Sequence, residues 1–170
     1  MSCNGIQRFY YVQKLVRCSS SRHGSDMRAA LLILLAATPW AREAFGVWKL
    51  NPARSTPVGN QKTMTLRIEQ HTRGEVFTLD TVTSDGRAST SSTILYLDDR
   101  ARNFRDQGCF GTQSSRRLDD RTVEILRRCA TGERTRIVCR LTARSELVLE
   151  VTAKQADGRE VERRLVFEKE

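Results

Sequence analysis

The sequence predicts an all-β protein, an antiparallel up-and-down meander closed into a barrel of about eight to ten strands. Three observations carry that expectation. From Gly46 onward, apolar residues recur with a period of two. Short turn signals separate these runs. No long run after Ala44 shows a helical period.

The alternation is clearest in four runs. "TMTLRIEQ" sets Met64, Leu66 and Ile68 against Thr65, Arg67 and Glu69. "TRIVCRLT" puts Ile137, Cys139 and Leu141 on one face. "ELVLEVTAK" does the same with Leu147, Leu149, Val151 and Ala153, and "EVERRLVFEKE" with Val161, Leu165 and Phe167. Such alternation marks strands with one wet face. Turn signals fall at Ser84-Asp85-Gly86, Asp98-Asp99, Thr131-Gly132 and Asp157-Gly158, where Asp-Gly pairs tolerate positive φ. Between them lie candidate strands 46–51, 62–69, 75–83, 88–97, 102–106, 112–118, 121–128, 134–142, 146–154 and 160–168. Connections this short force sequential antiparallel neighbours. Closure then removes the exposed edges. A two-sheet sandwich competes, but needs longer crossing connections.

The segment before Gly46 has a different character. Arg28 precedes a nine-residue apolar run, "AALLILLAA", and "TPWAREA" follows with small residues. This is the layout of a secretory signal peptide, and the run is far shorter than the roughly 20 residues of a membrane span. The expected organisation is a non-native extension over 1–26 from a misassigned start, a signal peptide over 27–44 and a barrel domain over 45–170. The mature chain is expected outside the cytoplasm, starting between residues 38 and 46, and not as an integral membrane protein.

Three stretches resemble a family of secreted bacterial lipocalin-like proteins: "GVWKLNPARST", "DDRTVEILRR" and "ELVLEVTAKQADGREVERRLVFEKE". The resemblance covers residues 46–170. It implies an exported lipocalin-like barrel and brings no established ligand or activity. Gly46-x-Trp48 also resembles the opening motif of true lipocalins, where the Trp plugs the closed end and an Arg of the last strand packs across it. Parity agrees with that picture. Arg163 shares a face with Val161, Leu165 and Phe167, and Trp48 shares one with Leu50. If last and first strands pair, Arg163 meets Trp48 in a cation–π contact. The alternative is a β-bulge that turns Arg163 to solvent and brings Arg164 or Arg159 inward.

The chemistry-bearing residues are sparse. After Gly46 there is one histidine, His71, beside the Thr72-Arg73-Gly74 turn signal, and scattered cysteines without metal-ligand spacing. The sequence therefore predicts no catalytic residues, no metal and no cofactor. Lys plus Arg number 29 against 20 acids, a net charge of +9, of which +4 lies in residues 1–45. The rest interleaves with acids, and aromatics are only 6% of the chain, so nucleic acid is not expected. Two readings of function remain. One is a carrier with a small apolar ligand in a lumen lined by Met64, Leu66, Ile68, Tyr96, Leu149 and Phe167. The other is an extracytoplasmic module with a filled barrel that meets proteins or polyanions. Lumen volume separates them.

The exported part holds Cys109, Cys129 and Cys139. An oxidising compartment favours one disulfide with one thiol left over. Across the Thr131-Gly132 turn, Cys129 and Cys139 lie several residues apart along their strands in either register considered. That exceeds the roughly 7 Å Cα limit for a bridge. Cys109 is thus the common partner, bonded to Cys129 or Cys139.

Overall fold

The computed structural model describes residue 40 and residues 43–56, 59–106 and 108–170. The expected extension (1–26) and residues 27–39 of the expected signal peptide lie outside the described residues. Ten strands form one antiparallel sheet: β1 (Gly46–Leu50), β2 (Gln61–His71), β3 (Gly74–Thr83), β4 (Ala88–Leu95), β5 (Arg102–Asp106), β6 (Cys109–Asp119), β7 (Thr122–Cys129), β8 (Arg134–Leu141), β9 (Glu146–Lys154) and β10 (Glu160–Lys169). The sheet order is β4-β3-β2-β1-β10-β9-β8-β7-β6-β5. This is the predicted meander, with the last strand on the first.

That pairing is short. Trp48 faces Lys169 and Leu50 faces Phe167. The chain then leaves the sheet at Pro52–Arg54, a 3-10 turn, and rejoins β10 where Thr56 bridges Arg164. Pro52 starts the detour because it has no N–H for the ladder. Ser55 fills the interval. Its Oγ accepts from the Val166 N–H at 2.9 Å.

The barrel is nearly closed rather than closed. β4 and β5 share no ladder. After Leu95 the chain crosses to β6 instead of making a tight hairpin, with Leu97 and Asp99 at φ 58° and 60°. The Asp99 N–H donates to the Ser115 carbonyl at 2.9 Å. Side chains span the gap lower down. Ser91 Oγ donates to Asp106 Oδ2 at 2.7 Å, and Gln113 Nε2 donates to Thr93 Oγ1 at 3.0 Å.

The core runs along the inner face and is densest at one end. Trp40, Ala44, Trp48, Leu95, Leu147 and Phe167 are fully buried there. Trp40 falls inside the segment expected to be signal peptide. The Ala44 N–H donates to the Trp40 carbonyl at 2.8 Å. The Trp40 amide also donates to the Asp120 carbonyl at 3.1 Å. Trp40 and Ala44 thus pack in the hydrophobic core, ahead of the expected domain start at 45. A cut after Ala44 would remove a core tryptophan; a cut before Trp40 would keep it.

Candidate functional site

The inner face supplies two chambers. The first is a partly open cavity of about 120 Å3 within the barrel. Leu66, Phe77, Leu79, Ile125, Ile137 and Leu149 give it apolar walls, and Ser91, Thr93, Asp106 and Arg127 make its side toward the gap polar. The second is a crevice of about 250 Å3 in the β4–β5 gap, lined by Thr93, Tyr96, Arg102, Phe104, Gln113 and Ser115 among others. Thr93 lines both.

Arg127 organises the boundary. Its parity on β7 matches Val123 and Ile125, so it points inward. Nε donates to Gln113 Oε1 at 2.9 Å, and the guanidinium lies 3.8 Å from Asp106 Oδ2 and 4.5 Å from the centre of the Phe104 ring. Burial pulls its pKa below the ordinary value, and the Asp106 charge opposes that pull. Arginine remains a cation at neutral pH under such a shift. The result is a charged, hydrogen-bonded rim on an apolar chamber.

The closed end is structural. Trp48 is fully buried and Nε1 donates to the Ala44 carbonyl at 2.7 Å. Lys169, not Arg163, lies over it: Nζ sits 5.3 Å from the ring centre and donates to the Glu43 carbonyl at 2.7 Å. Arg163 pairs with Val151 and is exposed. Parity put the two cations on one face. Register decides between them, because six residues of strand are about 20 Å. No bulge is needed, and neither Arg164 nor Arg159 replaces Arg163. Beside Trp48, Trp40 Nε1 donates to Glu75 Oε2 at 2.8 Å, and Arg117 Nη2 donates to Glu75 Oε1 at 2.9 Å. Cys139 is fully buried beneath this group, and burial followed by the Glu75 charge pushes its thiol pKa up. A thiol of that kind is inert as a nucleophile.

The other expected residues divide. Leu66, Ile68 and Phe167 are core, with Met64 and Leu149 packed against them, but only Leu66 and Leu149 line the cavity. Tyr96 lines the crevice and not the cavity. It follows inward-facing Leu95, so its ring points to the gap, where Arg102 covers it at 3.9 Å. Cys109 and Cys129 form the disulfide, with Cα atoms 5.3 Å apart, and Cys139 is the free thiol. The β7–β8 register is one step from those considered: Cys129 lies opposite Glu133 and Cys139 opposite Val123, which still keeps them apart. His71 closes a turn, its Nδ1 accepting from the Arg73 N–H at 3.2 Å. Among the described residues no three His, Cys, Asp or Glu side chains converge as metal ligands.

No family model and no curated protein matches this chain. Solved structures do. One is a Schistosoma mansoni fatty acid binding protein in complex with arachidonic acid, with a TM-score of 0.54 and 12% identity, covering 79% of this chain and 98% of that one. Another is a secretory abundant heat soluble protein from Ramazzottius varieornatus, with a TM-score of 0.54 and 8% identity, covering 75% and 96%. The fold is a lipocalin-like β-barrel. At such identities the likeness concerns the fold alone.

Sequence reasoning missed Trp40, Glu75, Arg117, Arg127 and Lys169. For Glu75, Arg127 and Lys169 a signal existed: each shares strand parity with inward apolar residues. Trp40 carried none, because its segment read as an export signal.

Proposed function

We propose that the protein is an exported carrier that holds a small apolar molecule in the barrel, its polar end at the β4–β5 gap. One observation carries the reading. The apolar chamber meets a hydrogen-bonded Arg127–Gln113–Thr93 rim at the β4–β5 gap, where the barrel wall has no ladder. A chamber of about 120 Å3 holds only a few non-hydrogen atoms. Binding sites for whole ligands are usually about 300 Å3 or more. The ligand would therefore extend into the crevice, and the gap would be its way in. The arachidonic acid in the Schistosoma mansoni protein supports an apolar occupant of such a barrel, without naming this one.

Export is part of the proposal. The apolar run at 29–37 and the Cys109–Cys129 disulfide support it. No helix among the described residues is long and apolar enough to cross a membrane. Binding rather than catalysis is the role proposed for the site, since its polar groups are engaged with one another. Native mass spectrometry of protein from its own source tests the reading, together with titration by a fluorescent apolar probe. A retained small molecule that the probe displaces at one-to-one stoichiometry is the expected result. Absence of both would overturn it.

A further inference from the structure

The outer wall carries a feature the lumen does not use. On β7, β8 and β9, Arg128 pairs with Arg134 and Arg134 with Lys154. All three side chains are exposed and share the outward parity of Leu126, Arg136 and Thr152. Like charges directly opposite on neighbouring strands repel. Several other basic side chains sit on carboxylates. Arg136 and Arg116 both bond Glu124, and Arg54 bonds Glu146. Among the described residues Arg128, Arg134 and Lys154 have no ion pair. They border a groove of about 240 Å3 with Leu126 and Arg136, and Glu160 is its one carboxylate.

We propose that this three-strand row, Arg128–Arg134–Lys154, is a binding site for a linear sulfated or carboxylated polysaccharide. Strand spacing places one cation about every 4.8 Å across the row, a straight ladder suited to a polymer with regularly spaced anions. Two arginines add the planar forks that match oxyanions. Single-stranded nucleic acid is the poorer fit, because its bases gain from aromatic faces to stack on and no aromatic residue lines the groove. Leu126 and Thr152 instead offer a floor that a sugar ring can cover. The site stands apart from the lumen and does not depend on what the lumen holds.

The test measures affinity of the full chain for a heparin hexasaccharide by titration calorimetry at several salt concentrations. One variant combines Arg128→Ala, Arg134→Ala and Lys154→Ala. A control of equal charge loss combines Lys62→Ala, Arg73→Ala and Arg87→Ala, all exposed and on other strands or turns. The row variant is expected to lose about tenfold or more in affinity, with its log–log salt slope reduced by about one per cation removed. The control is expected to keep wild-type affinity. Equal losses in both variants would overturn the proposal in favour of diffuse attraction, and no loss in the row variant would overturn it outright. Oligothymidylate of the same charge number, bound as tightly and lost in the same variant, would overturn the polysaccharide assignment. Circular dichroism checks that both variants are folded, and relief of like-charge repulsion favours folding of the row variant.

Discussion

Single side chains at the closed end act through burial, and their variants should separate packing from charge. Trp48→Ala removes a fully buried indole and should cost about 3–5 kcal/mol in urea unfolding. Lys169→Ala loses a cation over that ring and should cost about 0.5–1 kcal/mol. Arg163→Ala, on an exposed side chain, should fall within about 0.5 kcal/mol of wild type. A larger cost for Arg163 than for Lys169 would contradict the register. Glu124 offers a pH test. It is 3% exposed and accepts from Arg136 Nε and Arg116 Nε, each at 2.7 Å. Burial alone would raise its pKa, but the two arginines outweigh burial and hold it below the ordinary 4.5. A carboxylate with a depressed folded pKa stabilises above its unfolded pKa, and that contribution is lost as pH falls through the folded value. The wild-type urea midpoint should therefore drop between about pH 5 and pH 3, and Glu124→Gln should drop less over that window. Parallel profiles would remove Glu124 from the acid response.

At the scale of strands and hairpins, the disulfide sits where the barrel wall is weakest. It ties the start of β6 to the end of β7, next to β5, which has only one ladder partner. Gly111 makes that approach close. A Cβ there would sit 1.8 Å from the Arg128 carbonyl oxygen, so Gly111→Ala should force the strands apart and cost about 1–3 kcal/mol. The bridge closes a separation of 20 residues, and its reduction should cost about 3 kcal/mol. Unfolding in urea with and without reductant measures that loss; coincident midpoints would count against it. Strands were legible in the sequence because a half-buried sheet imposes a period of two, and the β2–β3, β3–β4, β7–β8 and β9–β10 hairpins carry recognisable turn residues. Register and gap were not. Slipping a pairing by two residues leaves every side chain on its face, so parity alone selected Arg163 and passed over Lys169, six residues on. The β4–β5 break rests on a crossing to β6, which no local pattern encodes. Gln113 and Ser115 are polar yet buried, lining the crevice, so no apolar alternation marks them.

For the whole molecule, the question is whether the space inside the barrel is there for use or is left by imperfect packing. Ordinary interiors hold few voids larger than a water molecule, and an unfilled chamber forfeits dispersion contacts on every wall. A cavity of about 120 Å3 bounded by Leu66, Phe77, Ile125 and Leu149 is thus a standing loss of stability. Proteins keep such losses where activity requires them, and filling them commonly gains about 0.5–2 kcal/mol. Leu149→Phe places a ring in that space. If the lumen is a ligand chamber, the variant should unfold at higher urea by about 1 kcal/mol and lose binding of the fluorescent apolar probe. A ligand held at a hundred times its Kd stabilises the wild type by about 2.7 kcal/mol, so the order of stability should reverse when probe is added. The same variant in a barrel whose partners bind outside would gain stability without that reversal, and its affinity for the heparin hexasaccharide would not change. Because the basic row lies on the outer face of β7 to β9 and Leu149 points inward, the two measurements on one variant read the inside and the outside of the wall separately.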